Sequence, residues 1–242
     1  GFLVGGGTAK ADVAQLSSET LNGNLYCTHT IVNGDLPYTI NTSGVYCIDY
    51  DITVPVTATY GIIINNGTVV LDLNSYGVTC TSNSAISITG GSNHVIRNGR
   101  IGSCVNGVDM SGGFNVMVDR MRFENVTKAI GHSSAMPVVV QHSHFQGFQT
   151  GISDTSSGSI FVRDNTFESQ SGGSAGAVMD FSGFSGRAIV EHNAMISGTN
   201  GIKGTGAMGT THLMLRYNSS VGIANAFTNL AADSNVREND AI

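Results

Sequence analysis

The stretch VVVQHSHFQGFQTGISDTSSGSIFVRDNTF, residues 138–167, decides the fold. Val138-Val139-Val140 returns as Ile160-Phe161-Val162, and at the same spacing Phe145 returns as Phe167. Between the two runs lies a small residue followed by a branched one, Gly151-Ile152. The same mark recurs in both directions as Gly61-Ile62, Ala85-Ile86, Gly107-Val108, Ala129-Ile130, Ala177-Val178 and Gly201-Ile202; successive gaps are 24, 22, 22, 22, 26 and 24. A second apolar run follows each mark, among them Val69-Val70-Leu71, Val95-Ile96, Val116-Met117-Val118, Ile189-Val190 and Leu213-Met214-Leu215. A fixed period in the twenties signals stacked units, none of which buries its apolar face alone. Short apolar runs separated by Gly, Asn and Ser turns make each unit a coil of β-strands rather than a helical repeat.

Alternation orients the side chains. In Ile160-Phe161-Val162-Arg163, residues 160 and 162 face inward and 161 and 163 outward. The chain turns at Asp164-Asn165 and resumes with Phe167 inward, so Phe123, Phe145 and Phe167 are expected to stack. Asn165, Asn193 and Asn218 fall at matching turns, where their amides can bond from coil to coil.

The chain has 242 residues, 32 Gly and only 3 Pro. Charged residues make up 12%, half the usual quarter, so Ser, Thr, Asn and Gly supply the polar surface. A net charge of −6 argues against general nucleic-acid binding. No apolar run is long enough to cross a membrane as a helix. No signal peptide is visible, and a start at Gly1 rather than Met points to a processed or trimmed chain.

The cysteines fall in two matched pairs. Leu25-Tyr26-Cys27 and Val45-Tyr46-Cys47 share a local pattern, while Cys80 follows Ile62 at the same offset at which Cys104 follows Ile86. Equivalent positions on adjacent coils stack about 4.8 Å apart, within reach of a disulfide. Cys27–Cys47 and Cys80–Cys104 bridges are expected, with stacked buried thiols as the alternative. Bridges would imply an oxidising compartment. Sequons at Asn41, Asn66, Asn125 and Asn218 agree with secretion, although an Asn/Ser/Thr-rich chain produces some by chance.

The organisation read from the sequence is a single domain over residues 1–242: an N-terminal cap over 1–24, coils over 25–225, and a final coil or cap over 226–242. Residues 9–18, AKADVAQLSS, are expected to form a short helix covering the open end.

The phrases VVLDLNSYGV (69–78), HVIRNGRI (94–101) and IFVRDNTF (160–167) resemble the right-handed parallel β-helix superfamily, the pectate-lyase-like proteins. The resemblance covers roughly residues 38–220. It implies an all-β solenoid of about eight to ten coils of 22–26 residues each. The superfamily includes polysaccharide lyases, glycoside hydrolases, epimerases, methylesterases and noncatalytic adhesins, so the resemblance implies a fold and leaves the activity open. No family-specific catalytic motif is present, and the chain lacks Trp, a common sugar-stacking residue.

Stacking turns the sequence into columns. One outward column holds Arg97, Asp119, Gln141, Arg163, Glu191 and Arg216. The next holds Asn98, Arg120, His142, Asp164, His192 and Tyr217, and a third Arg100, Arg122 and His144. Four of the eleven Lys/Arg and two His thus gather on one face, a local basic patch suited to carboxylate or sulfate groups. The simpler reading of the first column is a charge ladder, Arg97–Asp119 and Arg163–Glu191–Arg216. Arg120, Arg122, His142 and His144 are expected to be short of acidic partners. His132, Asp154 and Asp180, each two residues after the mark, form another column, expected at turns because serines follow. Neither a metal nor a cofactor is expected, and no Ser-His-Asp set can be selected among so many serines.

Three functions compete. The first is a secreted enzyme acting on an anionic, uronate-type glycan or a small carboxylated substrate. For a lyase or epimerase, His144 or His142 would be the base and Arg122 and Arg120 the carboxylate holders, with His144 and Arg122 preferred because they stack directly in the outermost column, and Asp119 and Asp164 at the edge. Tyr217 or His192 would be a more distant acid. A hydrolase would use Asp119 with Asp164, or Asp164 with Glu191. The second is a noncatalytic adhesin or spike-like binding module. The third is a cyclase or isomerase using an apolar pocket on the same scaffold.

Overall fold

The computed structural model describes residues 20–21, 24–25, 27–169, 177–204, 212–228, 235–237 and 240–241. Thr20–Leu21 and Asn24–Leu25 form a separate two-stranded antiparallel sheet; the other described residues form a parallel β-solenoid of about eight turns, the architecture of a parallel β-helix. Each coil carries three short strands, and each strand pairs in parallel with its equivalents one coil above and below. One central coil runs through Asn106–Met110, then the long bent strand Phe114–Glu124, which serves two faces. The next runs through Lys128–His132, Val138–Gln141 and His144–Gln146.

The repeating mark is the spine of the first face. Ile62, Ile86, Val108, Ile130 and Ile152 are successive register partners, all fully buried. The column then departs from expectation by one residue: Ile152 pairs with Met179, not Val178, and Met179 pairs with Ile202. Val178 is still buried, at 1% exposure. Ladder pairing, not the dipeptide signature, sets register, and the flexible Met side chain fills the interior position.

The small residue of the mark also has a packing cause. A Cβ added at Gly107 would lie 2.5 Å from the Ala129 carbonyl oxygen and 2.8 Å from the Phe123 ring; at Gly151 it would lie 2.5 Å from the Val178 carbonyl oxygen. Large side chains are excluded there because the interior aromatic stack passes alongside. That stack forms as expected: Phe123, Phe145 and Phe167 have ring centroids 4.8 and 4.4 Å apart, with interplanar angles of 11° and 13°. Each such pair adds about 0.5–1.5 kcal/mol beyond area burial.

The asparagine ladder is present too. Asn193 Oδ1 accepts from the Asn165 backbone N–H at 3.1 Å and its Nδ2 at 3.0 Å, and Asn218 Oδ1 does the same for Asn193. All three are buried. The sequon at Asn218 is therefore a structural position, whereas Asn41, Asn66 and Asn125 are exposed.

Both disulfides form, Cys27–Cys47 and Cys80–Cys104, with Cα–Cα distances of 5.8 and 4.7 Å. Among the described residues no helix is long and apolar enough to cross a membrane. The expected helix over 9–18 lies outside the described residues. In the tail, Asn235–Arg237 and Asp240–Ala241 pair in parallel with the coil before them, as part of a final coil.

Candidate functional site: the polar corner of the coils

The second and third strands of each coil meet at a sharp corner. The corner residues Asn98, Arg120, His142, Asp164, His192 and Tyr217 all have φ between 52° and 56° except His142, at 49°. This left-handed conformation is uncommon for non-glycine residues and projects each side chain outward. The second column of the sequence reading is thus a row of corner side chains along the solenoid edge. His192 and Tyr217 stack there, with centroids 5.0 Å apart at 10°.

Register places the candidates as neighbours: Arg97 beside Asp119, Asp119 beside Gln141, and Arg122 beside His144. Their bonding differs from the simple ladder. Arg97 turns to Asp72, with Nε 2.8 Å from Oδ2, instead of to Asp119. Arg163 places Nε and a terminal nitrogen 3.0 and 2.7 Å from Gln141 Oε1, leaving Glu191 to Arg216 at 2.6 Å.

Asp119 is the hub. Its side chain is 9% exposed and lies 2.9 Å from Arg120 Nε and 2.9 Å from His142 Nδ1. Gln141 Nε2 donates to it at 3.1 Å. Burial alone would raise its pKa, but the hydrogen bonds from His142 and Gln141, with the charge of Arg120, outweigh burial and hold it below the ordinary carboxylate range. His142 is half-exposed, and its Nε2 lies 3.8 Å from Asp164 Oδ2. Asp119 and Asp164 therefore flank the two nitrogens of one imidazole.

The expected shortage of acids is corrected. Arg122 pairs with Glu124 and donates to Gln146 at 3.3 Å, while His144 Nε2 lies 3.7 Å from Glu168. Arg100 lies 3.3 Å from Asp51. Glu124 and Glu168 were missed because they sit just past the counted columns, where register brings them back beside the cations. The surface over this corner is shallow and open. One depression is lined by Arg100, Arg120 and Arg122 together with Asp51, Tyr76 and Glu124; the next, by Glu124, Gln146 and Glu168. Neither His142 nor His144 lines either one.

The His132 column is also corrected. His132 is not at a turn: it ends Lys128–His132 with its side chain inward, and Asp154 stacks on it one coil later. Both side chains have 0% exposure, and His132 Nδ1 lies 3.0 Å from Asp154 Oδ2. Asp154 Oδ1 accepts the Ser156 N–H at 2.8 Å. His132 Nε2 lies 3.2 Å from the hydroxyl of Ser134, which is half-buried. Asp180 leaves this column, because it registers with Ser153 instead. It accepts the Ser182 N–H at 2.9 Å, the turn role anticipated for it.

Among the described residues no group of three or more His, Cys, Asp or Glu is placed to hold a metal ion. Comparisons with family models, with curated proteins and with solved structures found no match to this chain.

Proposed function

We propose that this is a secreted protein whose polar corner engages an anionic, uronate-type glycan and removes a proton from it, as a lyase or epimerase does. The carrying observation is the Asp119–His142 contact at the half-exposed edge. A carboxylate accepting from Nδ1 orients the ring, and Nε2, 3.8 Å from Asp164 Oδ2, is the atom that takes the proton. Arg120 and Arg122 lie at the same edge to hold the sugar carboxylate as charge develops on it. The base role moves from His144 to His142, since His144 has no comparable orienting hydrogen bond, only the 3.7 Å approach to Glu168. The two disulfides support the secreted assignment.

A noncatalytic binding role on the same face is the second reading. It is favoured by the shallowness of the corner and by the pairing of Arg97, Arg100, Arg120 and Arg122 each with an acid. Incubation with polyuronates, following the absorbance of unsaturated ends and the C5 configuration of the product, separates the two. Turnover lost in His142→Ala, by the roughly 10²–10⁴-fold that general-base catalysis supplies, supports the enzyme. Salt-sensitive binding without turnover supports the module.

A further inference from the structure

The interior column beneath the first face is aliphatic through Ile40, Ile64, Ile88 and Met110, then becomes His132 and Asp154. An apolar pair there would be less costly, since buried polar groups must be matched atom by atom. Here they are matched, and the chain of contacts leads outward. Ser156 N–H donates to Asp154 Oδ1, Asp154 Oδ2 meets His132 Nδ1, and His132 Nε2 meets the Ser134 hydroxyl. A carboxylate only accepts, so Nδ1 carries the ring hydrogen and Nε2 is left to accept from Ser134. Ser134 is the one member of the three that reaches the surface.

We infer that Ser134 is a nucleophile, activated by the His132–Asp154 pair, and that the loop over 133–137 forms an acyl-transfer site for small esters. It is independent of the polar corner. In the reaction, Ser134 Oγ attacks the ester carbonyl carbon and its proton passes to His132 Nε2. The carbon–oxygen bond to the alcohol breaks, and His132 returns the proton to the departing alcohol. Water then repeats the sequence and releases the acid, regenerating the serine. In this site the N–H of Ala135, next along the chain, would be the donor to the oxyanion. The side chains of Ala135, Met136 and Pro137 give the loop an apolar character suited to an acyl chain.

The test is an alkyl fluorophosphonate, which loses fluoride as its phosphorus bonds to an activated serine oxygen. Whole protein is treated, and the adduct is located by peptide mass spectrometry. Ser134 is expected to label at least about 100-fold faster than its exposed neighbour Ser133, the scale of an adjacent general base. Ser134→Ala should abolish the adduct on this peptide. His132→Met with Asp154→Leu should keep the column filled and reduce labelling of Ser134 to the Ser133 rate. No adduct on Ser134, or equal rates at Ser133 and Ser134 in the unsubstituted protein, overturns the inference whether or not the double variant folds. Neither result bears on polyuronate turnover, so the two proposals fail separately.

Discussion

His132 and Asp154 face each other across one coil step inside the solenoid, with Nδ1 3.0 Å from Oδ2 and no exposure of either side chain. The pair stands where the same column holds Ile64, Ile88 and Met110 in earlier coils. Its stability consequence follows from that placement. Asp154→Leu alone should destabilise by about 1–3 kcal/mol, because the imidazole Nδ1 loses its buried partner. Adding His132→Met should recover most of the loss, since an apolar pair of similar volume is often neutral or better. Urea denaturation of the two variants checks both signs; equal stability of the single and double variants would refute the coupling.

The aromatic stack should be the least replaceable part of the core. Phe145 packs between Phe123 and Phe167. Phe145→Ala should cost about 3–5 kcal/mol, through lost burial and the cavity left behind. A cost below about 1 kcal/mol in urea titration would show that the neighbouring coils close over the gap.

The disulfides join neighbouring coils near the N-terminal side of the described solenoid. Thiol titration of denatured, unreduced protein should find essentially no free thiol, and reduction should release the four cysteines. Four reactive thiols before reduction would remove both bridges and the argument for secretion built on them.

Two groups make stability depend on pH in separate windows. His94 is buried, with Nε2 2.8 Å from the Gly90 carbonyl oxygen and Nδ1 without a partner. Burial lowers its pKa, more than the Gly90 contact raises it. The unfolded chain then binds the extra proton first, so stability falls as pH drops below the ordinary histidine value of about 6.5, until the folded pKa is reached. Asp119, lowered in the fold, contributes stability that is present above its unfolded value of about 3.9 and lost as pH falls through its folded value. Thermal melts from pH 8 to 3 should show two declines. His94→Leu should flatten the upper one and Asp119→Asn the lower; slopes unchanged by either substitution would assign the declines elsewhere.

The corner row predicts an unusual response to glycine. Arg120 has φ 52° and an exposed side chain. Glycine adopts this conformation without steric cost, so Arg120→Gly should leave stability nearly unchanged, where glycine in a helix or strand interior costs about 0.5–1 kcal/mol. Glycan binding should weaken in the same variant; undiminished binding would take Arg120 out of the proposed site.

The recurrence of the Gly/Ala-Ile/Val mark determined the solenoid, because residues one period apart are neighbours wherever the chain closes a coil of that length. The Ile62–Ile152 column, the Phe stack, the Asn165–Asn193–Asn218 ladder and both disulfides were legible for that reason. What the tertiary structure alone decided is the choice among neighbours. Arg97 has an acid one coil below and another one coil above, each about 4.8 Å away along the stack, and only packing sends it to Asp72 and leaves Asp119 to His142. The Val178 dipeptide carried the right pattern, but backbone pairing put Met179 in the column. His132 is two residues past its mark, a position compatible with an inward side chain or with a turn. Strand parity held it inward, and that burial brought it between Asp154 and Ser134.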